Sequence, residues 1–237
     1  MTSLPYKPDP TRSGVSDEAA DIPGDRCARH GASSAGDHVK RGVDVAGAAA
    51  VLLLVWPMML IIALLVRLDS RGPAFYQQER VGKGGRRFKV WKFRTMRSEA
   101  DRELNALLSQ DAALRSQWQA AFKLRRDPRL TRLGGLLRRT SLDELPQLFN
   151  VLRGEMSLVG PRPIVENETA RFGRALDRYL AVRPGLTGLW QVSGRSQTSY
   201  RRRVAMDVYY VRERSLALDA IIIARTPLAV LSRSGAW

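Results

Sequence analysis

From Val45 to Val66 the chain reads VAGAAAVLLLVWPMMLIIALLV, without one charged side chain. A straight helix rising about 1.5 Å per residue would make this stretch about 33 Å long, enough to cross the hydrocarbon of a bilayer. Pro57 sits just past its middle. There it lacks a backbone donor and crowds the carbonyl of Leu53, so a bend is expected unless neighbours hold the helix straight. Lys40 and Arg41 precede the run, and Arg67 and Arg71 follow it. Cations on both flanks select no orientation. Two readings stand open: a kinked single crossing, or a helix that enters one leaflet, bends at Pro57 and returns to the same side. In the second, each limb is about 15–18 Å long, too short to span.

The rest of the chain must be organised around that segment. Residues 1 to about 38 are rich in Pro, Gly, Ser, Ala and Asp, show no apolar period and read as a disordered tail. The tail carries both signs of charge and the apolar run starts late, so a secretory signal peptide is not expected. After the run, AFYQQERVGKGGRRFKVWKFRTM reads as two short strands joined by a glycine-rich turn at Gly82–Gly85. The turn lacks the spacing of a P-loop and is a hairpin turn rather than a phosphate cradle. Residues 98–126 hold good helix formers without Pro or Gly and predict one helix, closed by Asp127-Pro128. RLTRLGGLLRRT alternates cationic and apolar residues. It either lies on a membrane surface with Leu130, Leu133, Leu136 and Leu137 inward, or forms a core helix with a solvated basic face. RPGLTGLWQVSGR at 183–195 reads as loop, and SYRRRVAMDVYYVRERS as helix. The last apolar stretch is interrupted by Asp219, Arg225 and Pro227, which suits a buried or interfacial helix better than a second crossing.

Charge and residue usage narrow the chemistry. Among 237 residues, 39 basic and 23 acidic side chains leave a net charge of +16. That excess points to an anionic partner: nucleic acid, an anionic membrane surface or phosphorylated substrates. Cys27 is the one cysteine, which excludes a disulfide framework and a multi-cysteine metal site and fits a reducing compartment. His30 and His38 both fall in the tail, so proton transfer in the folded part must use other groups. A nucleic-acid binder would fit the charge, but no recognition motif is present and the apolar run would have no purpose. A non-catalytic membrane scaffold, its cations on lipid headgroups, is the third alternative.

The stretch RRTSLDELPQLFNVLRGEMSLVGPRP, residues 138–163, places Asp143 and Glu144 side by side among cations. Ser141-x-x-Glu144 matches a capping box, with Ser141 as N-cap of a helix whose first turn holds Asp143 and Pro146. In that position the positive end of the helix would keep Asp143 ionised. The functional alternative is a pair placed for phosphate chemistry. Adjacent carboxylates suit Mg²⁺, which takes one or two of them together with substrate phosphate oxygens, and a carboxylate can itself attack phosphorus. Pro161 and Pro163 restrict the backbone around Arg162, lowering the entropy lost when its guanidinium grips phosphate.

FRTM at 93–96, the block at 138–163 and RPGLTGLWQVSGR at 183–195 together resemble the monotopic polyprenyl-phosphate phosphoglycosyl transferases of bacteria. The resemblance runs from about residue 39 to the C-terminus. SYRRRVAMDVYYV and the terminal LSR are most similar to the short exopolysaccharide-initiating members that transfer galactose phosphate. It implies an α/β fold: a compact membrane-associated domain with an N-terminal re-entrant membrane helix and interfacial amphipathic helices. The expected division is a tail at 1–38, the re-entrant helix at 39–70 and the catalytic domain at 71–237, with no room for the additional N-terminal membrane helices of larger members. One departure is Trp56-Pro57, where family members often carry Ser-Pro; the proline remains, but the serine's bond to a freed carbonyl does not. The implied reaction moves a sugar 1-phosphate from a UDP-sugar to undecaprenyl phosphate, releasing UMP, at the cytoplasmic face of the bacterial inner membrane. By the same resemblance Asp143 is the nucleophile, Glu144 positions Mg²⁺ or handles a proton, and Arg138 and Arg162 hold phosphate. Lys92 and Arg94 are further phosphate candidates, and Gln191 and Arg195 fall near the nucleotide. Galactose is the expected sugar, with glucose next.

Overall fold

The computed structural model describes residues 35–97, 99–121, 124, 127–193 and 199–231. The apolar run lies within one helix, α1 (Ala35–Asp69), which continues through Pro57. It begins at Ala35, so the last residues assigned to the tail belong to the helix instead. Among the described residues α1 is the one helix long and apolar enough to cross a membrane. One side of it is buried through Asp44, Ala48, Met59, Ile62 and Val66. The other side leaves Leu53, Leu54, Ile61, Leu64 and Leu68 more than half exposed. The buried positions recur at helical spacing, and they are what the remaining elements pack against.

The hairpin forms as expected. β1 (Phe75–Val81) pairs antiparallel with β2 (Arg87–Phe93), Gln78 opposite Val90 and Arg80 opposite Phe88. A 3₁₀ turn at Lys83–Gly85 joins them. Gly84 and Gly85 take φ of 66° and 74°, which glycine adopts without the Cβ penalty. The predicted helix over 98–126 is in fact two, α2 (Ala100–Gln110) and α3 (Ala112–Ala121). Asp111 makes the break: its carboxylate accepts from the backbone N–H of Ala113 and Leu114 at 2.8 and 3.0 Å, an N-cap inside a run of helix formers. The expected closing segment at 122–126 falls largely outside the described residues.

α4 (Arg132–Thr140) divides the leucines of RLTRLGGLLRRT between a packed and an exposed face. Leu137 is 2% exposed and, with Leu133, packs against Met59, Ile62, Val66 and Phe93. Leu136 points outward. Deleting a leucine packed this way costs on the order of 3 kcal/mol. After α4 come a 3₁₀ turn at Leu142–Glu144, α5 (Gln147–Arg153) and β3 (Ser157–Val159). α6 (Glu166–Thr169), a 3₁₀ turn at Ala170–Ala175 and α7 (Leu176–Leu180) follow. β4 (Gly185–Thr187) then pairs parallel with β3. α8 (Leu189–Val192), α9 (Tyr200–Glu213) and α10 (Leu216–Leu231) complete the described chain. The 183–195 stretch therefore contains a strand and a short helix where loop was expected. Three residues per strand are too few to show a period.

Both ends of α1 are tied to the same domain. Near its start, Arg41 donates to the carbonyls of Val151 and Leu152 at 2.7 and 3.0 Å. At its end, Arg94 donates to the carbonyls of Ser70 and Arg71 at 2.6 and 2.9 Å. These are carbonyls just past the helix, which have no intrahelical donor.

Candidate active site

The site is assembled where α4 meets α5. α4 ends with Ser141 in the left-handed region, φ 56°, its N–H turned back onto the carbonyls of Arg138 and Leu137. It is the one described non-glycine residue with positive φ, a conformation costing about 1 kcal/mol. The expected capping box is therefore not formed. Ser141 closes the preceding helix, its side chain caps nothing, and Asp143 and Glu144 lie in a single 3₁₀ turn. Leu142 and Leu145 on either side pack toward Met59, Phe93 and Leu137, so the apolar face of α1 supports this turn. Asn150, fully buried, fastens α5 to the hairpin. Its Oδ1 accepts from Trp91 N–H at 3.1 Å, and its Nδ2 donates to Lys89 O at 2.7 Å. A side-chain amide thus replaces a strand partner on β2 and sets the distance from the turn to Lys92.

The two carboxylates differ sharply. Asp143 is 7% exposed and forms no ion pair among the described residues. Burial, reinforced by Glu144, raises its pKa to about 6 against the partial relief of Lys92 and Arg138. The helix dipole expected to favour its ionised form is largely missing, because the pair sits in a three-residue turn, and burial acts in the opposite direction. Glu144 receives Lys92 Nζ at 2.6 Å. Burial pushes its pKa up, but Lys92 and then Arg162 more than cancel this, and the carboxyl is held well below its ordinary value. Glu144 is the fixed anion of the pair, and Asp143 is the one poised between states.

The predicted residues are not all brought together. Lys92, Glu144, Arg162 and Gln191 line one narrow cleft, together with Arg80 and Gln147. Arg138 is not among the lining residues; it donates from Nε to Thr95 Oγ1 at 2.9 Å and is coupled electrostatically to Asp143. Arg94 does not join them, because its guanidinium is spent on the C-terminal end of α1. Arg195 lies outside the described residues.

Arg162 is carried by two loops that meet through glycines. A Cβ on Gly185 would come within 2.1 Å of Gly160 N, and one on Gly188 within 2.3 Å of Gly160 O. Only glycine lets the VGPRP and RPGLTGLWQ segments touch backbone to backbone. Tyr179 braces the same loop, accepting from Ile164 N–H at 3.2 Å with its hydroxyl 3.1 Å from the carbonyls of Val81 and Arg162. Arg162 sits 5.7 Å from the ring centre of Trp190, and Arg203 sits 4.8 Å from it. Arg80, Arg203 and Gln147 are the residues that sequence reasoning missed. The hairpin register held the signal for Arg80, since residues 78, 80, 90 and 92 share one face of the sheet.

For Mg²⁺ the donor set is sparse: no group of three or more Asp, Glu, His or Cys occurs among the described residues. Two adjacent carboxylates, one already bonded to Lys92, suit a cation shared with substrate phosphate oxygens and not a site made by protein alone. A larger cavity of about 560 Å³, lined by Asp69, Arg71, Arg97, Glu103 and Arg132 among others, shares no residue with the cleft and is of mixed charge.

Fold and site together define a class: a domain packed along an apolar helix of membrane-crossing length, with a cationic cleft lined by one carboxylate of an adjacent pair, an arrangement that suits phosphate-bearing substrates. The chain belongs to the bacterial sugar transferase family, whose model matches residues 35–233. It is 47% identical over 199 residues to the exopolysaccharide production protein ExoY of Rhizobium meliloti, covering 84% of this chain and 88% of that protein. It is also 47% identical over 199 residues to a UDP-galactose-lipid carrier transferase of Erwinia amylovora. An undecaprenyl-phosphate galactose phosphotransferase of Salmonella typhimurium is 46% identical. The matches cover 84% of this chain and 42% of each of those two larger proteins.

Proposed function

We propose that the protein transfers galactose 1-phosphate from UDP-galactose to undecaprenyl phosphate, releasing UMP and initiating exopolysaccharide synthesis. The observation that carries this is the asymmetric carboxylate pair: Glu144 lines a cleft with Lys92, Arg80 and Arg162, and Asp143 adjoins it in the same turn, electrostatically coupled to Lys92 and Arg138. It is supported by relatives named for galactose transfer to a lipid carrier and for exopolysaccharide production. A relative in Xanthomonas campestris, 41% identical and named for glucose-1-phosphate transfer, keeps glucose as the second sugar.

In this mechanism ionised Asp143 attacks the sugar-bearing phosphorus. A carboxylate–phosphorus bond forms, the bond to the bridging oxygen breaks, and UMP leaves with that electron pair. An oxygen of the lipid phosphate then attacks the same phosphorus and expels the Asp143 carboxylate, giving the diphosphate-linked lipid and regenerating the site. Arg162, Arg80 and Lys92 gather charge from the diphosphate, and Arg138 is coupled to Asp143. Mg²⁺, held by Asp143 and Glu144, would neutralise the diphosphate and the departing UMP. The acceptor is lipid-borne, so the turn must sit near the headgroups, and its support by α1 fits that need. Both ends of α1 are fastened to one polar domain, which supports a helix whose ends lie on the same, cytoplasmic, side of the inner membrane. Cysteines placed near residues 38 and 74 should then both escape a membrane-impermeant thiol reagent in intact cells; opposite labelling would mean a crossing.

The covalent step has a direct test. Enzyme given labelled UDP-galactose without lipid should release UMP once and keep label on a peptide containing Asp143. Release of UMP only when undecaprenyl phosphate is present, with no label retained, would replace this mechanism with direct in-line transfer.

A further inference from the structure

Gln191 has an amide whose orientation is decided by its surroundings. Its Nε2 donates to Leu186 O at 3.3 Å. Flipping the amide would set two carbonyl oxygens against each other, so Oε1 must face the other way. That oxygen is buried and has no hydrogen-bond partner. A buried acceptor left unpaired costs about 1–3 kcal/mol, and the fold relieves most such groups. This one is held in place by close backbone packing, since a Cβ on Gly188 would lie 3.0 Å from it and 2.3 Å from Gly160 O.

The neighbours say what the acceptor could receive. Gln191 lines the same cleft as Glu144, Lys92, Arg80 and Arg162. Those cations compete for phosphate oxygens, which a carbonyl oxygen cannot bind. The cleft is small, with room for about one water in its present form. On a UDP-hexose, the hydrogen-bond donors nearest the sugar-bearing phosphorus are the hexose hydroxyls, whereas the base lies beyond a second phosphate and a ribose. We infer that Gln191 Oε1 accepts a hydrogen bond from a hydroxyl of the transferred hexose and so reads the sugar rather than the nucleotide. The inference rests on the reading that Asp143 and Glu144 act at the sugar-bearing phosphorus.

The test compares wild-type enzyme with Gln191→Met, which keeps length and removes the acceptor, and with Gln191→Glu, which keeps an acceptor of the same reach but sets its other carboxyl oxygen against Leu186 O and so should preserve only part of the contact. UMP release is measured with UDP-galactose and with UDP-galactose analogues lacking one sugar hydroxyl each. Wild type should lose about tenfold to a hundredfold in kcat/KM on one analogue. Gln191→Met should show that loss already on intact UDP-galactose and be indifferent to the same missing hydroxyl, while Gln191→Glu keeps part of the discrimination. Inhibition by UMP should be unchanged in both variants. Equal sensitivity of wild type to every analogue, or equal discrimination by wild type and Gln191→Met, would mean that the acceptor serves a bound water and would overturn the inference. Weakened UMP inhibition in Gln191→Met would overturn it in favour of the nucleotide. Absence of UMP release from any UDP-hexose by wild type would instead sink the underlying reading of the carboxylate pair.

Discussion

Two clusters in this molecule contain one lysine and two carboxylates, and they are built to opposite ends. In the first, Lys40 pairs with Asp44 and with Asp219 at 3.1 Å, and donates to Ser157 Oγ at 2.8 Å. Tyr210 donates to Asp219 at 2.7 Å, and Leu158 N–H donates to Asp44 at 3.1 Å. Each carboxylate is saturated, and the result is a clasp joining α1, β3, α9 and α10. In the second, Lys92 is committed to Glu144, and Asp143 is left buried beside it without a cation of its own. The first arrangement turns polar groups into fixed structure. The second keeps one carboxylate high in free energy, where phosphorus or a cation can relieve it. A like count of charges therefore does not define a site; what defines it is which group is left unsatisfied.

Removing Asp143 should produce the largest effect. Asp143→Asn should lower UMP release by at least about a thousandfold, as loss of a nucleophile does. It should not weaken the fold. A carboxyl whose pKa rises on folding is destabilising when ionised. That cost sets in as pH rises from about 4 to about 6 and is complete above that range. Asn avoids it, so thermal unfolding in detergent at pH 8 should occur at the same or a higher temperature. A marked drop in unfolding temperature would make Asp143 a second clasp and break the contrast.

The clasp should respond in the reverse sense. Lys40→Met strands Asp44 and Asp219, which are 2% and 6% exposed, without their cation. About 3–5 kcal/mol of stability should be lost, while the fraction that remains folded keeps its KM for UDP-galactose. A changed KM with an unchanged unfolding temperature would place Lys40 in catalysis.

Arg162→Lys keeps the charge and loses the planar fork. A fall of about tenfold to a hundredfold in kcat/KM is expected if both nitrogens grip phosphate, and turnover close to wild type would leave Arg162 a packing partner of Trp190. The smallest effect is a shift along the pH axis. In the proposed mechanism Asp143 must be ionised to attack, so kcat should fall about tenfold per pH unit below about 6 and level off above it. Lys92 lowers the pKa of Asp143, so Lys92→Met should move the midpoint of that limb to higher pH. A midpoint that stays in place would mean that the two groups are not coupled.

Much of this is legible in the chain itself. The hairpin can be placed because its strands are seven residues each and its turn is glycine-rich. Asp143, Glu144, Lys92, Arg162 and Gln191 all stand out as site candidates, and all but Asp143 line one cleft. The departures have local causes. In sequence Asp111 is one residue among helix formers, although its carboxylate can cap the next helix. Ser141 looks like a helix start because S-x-x-E is a local pattern, while the backbone around it is bent by packing on α1. Arg94 falls among the phosphate binders because of its neighbours in the chain, yet strand alternation sends Lys92 toward Glu144 and the β2 exit sends Arg94 toward α1.

By itself the sequence determined the elements whose signal is periodic or compositional: the apolar helix, the hairpin, the terminal helices and the excess of cations. It also narrowed which residue types could do chemistry, since Cys27 and His30 precede the described residues and His38 falls at the start of α1. Tertiary structure alone decided which of the 39 cations matter, because that depends on register and loop contact and not on type. It decided as well that Asp143 and not Glu144 is the carboxylate whose pKa is raised. The two are adjacent in the chain and chemically almost alike. Their difference comes from Lys92, brought across from a strand some fifty residues earlier, and from the depth at which the turn sits on α1. Electrostatic free energy depends on distance and burial, and neither is a local property of sequence.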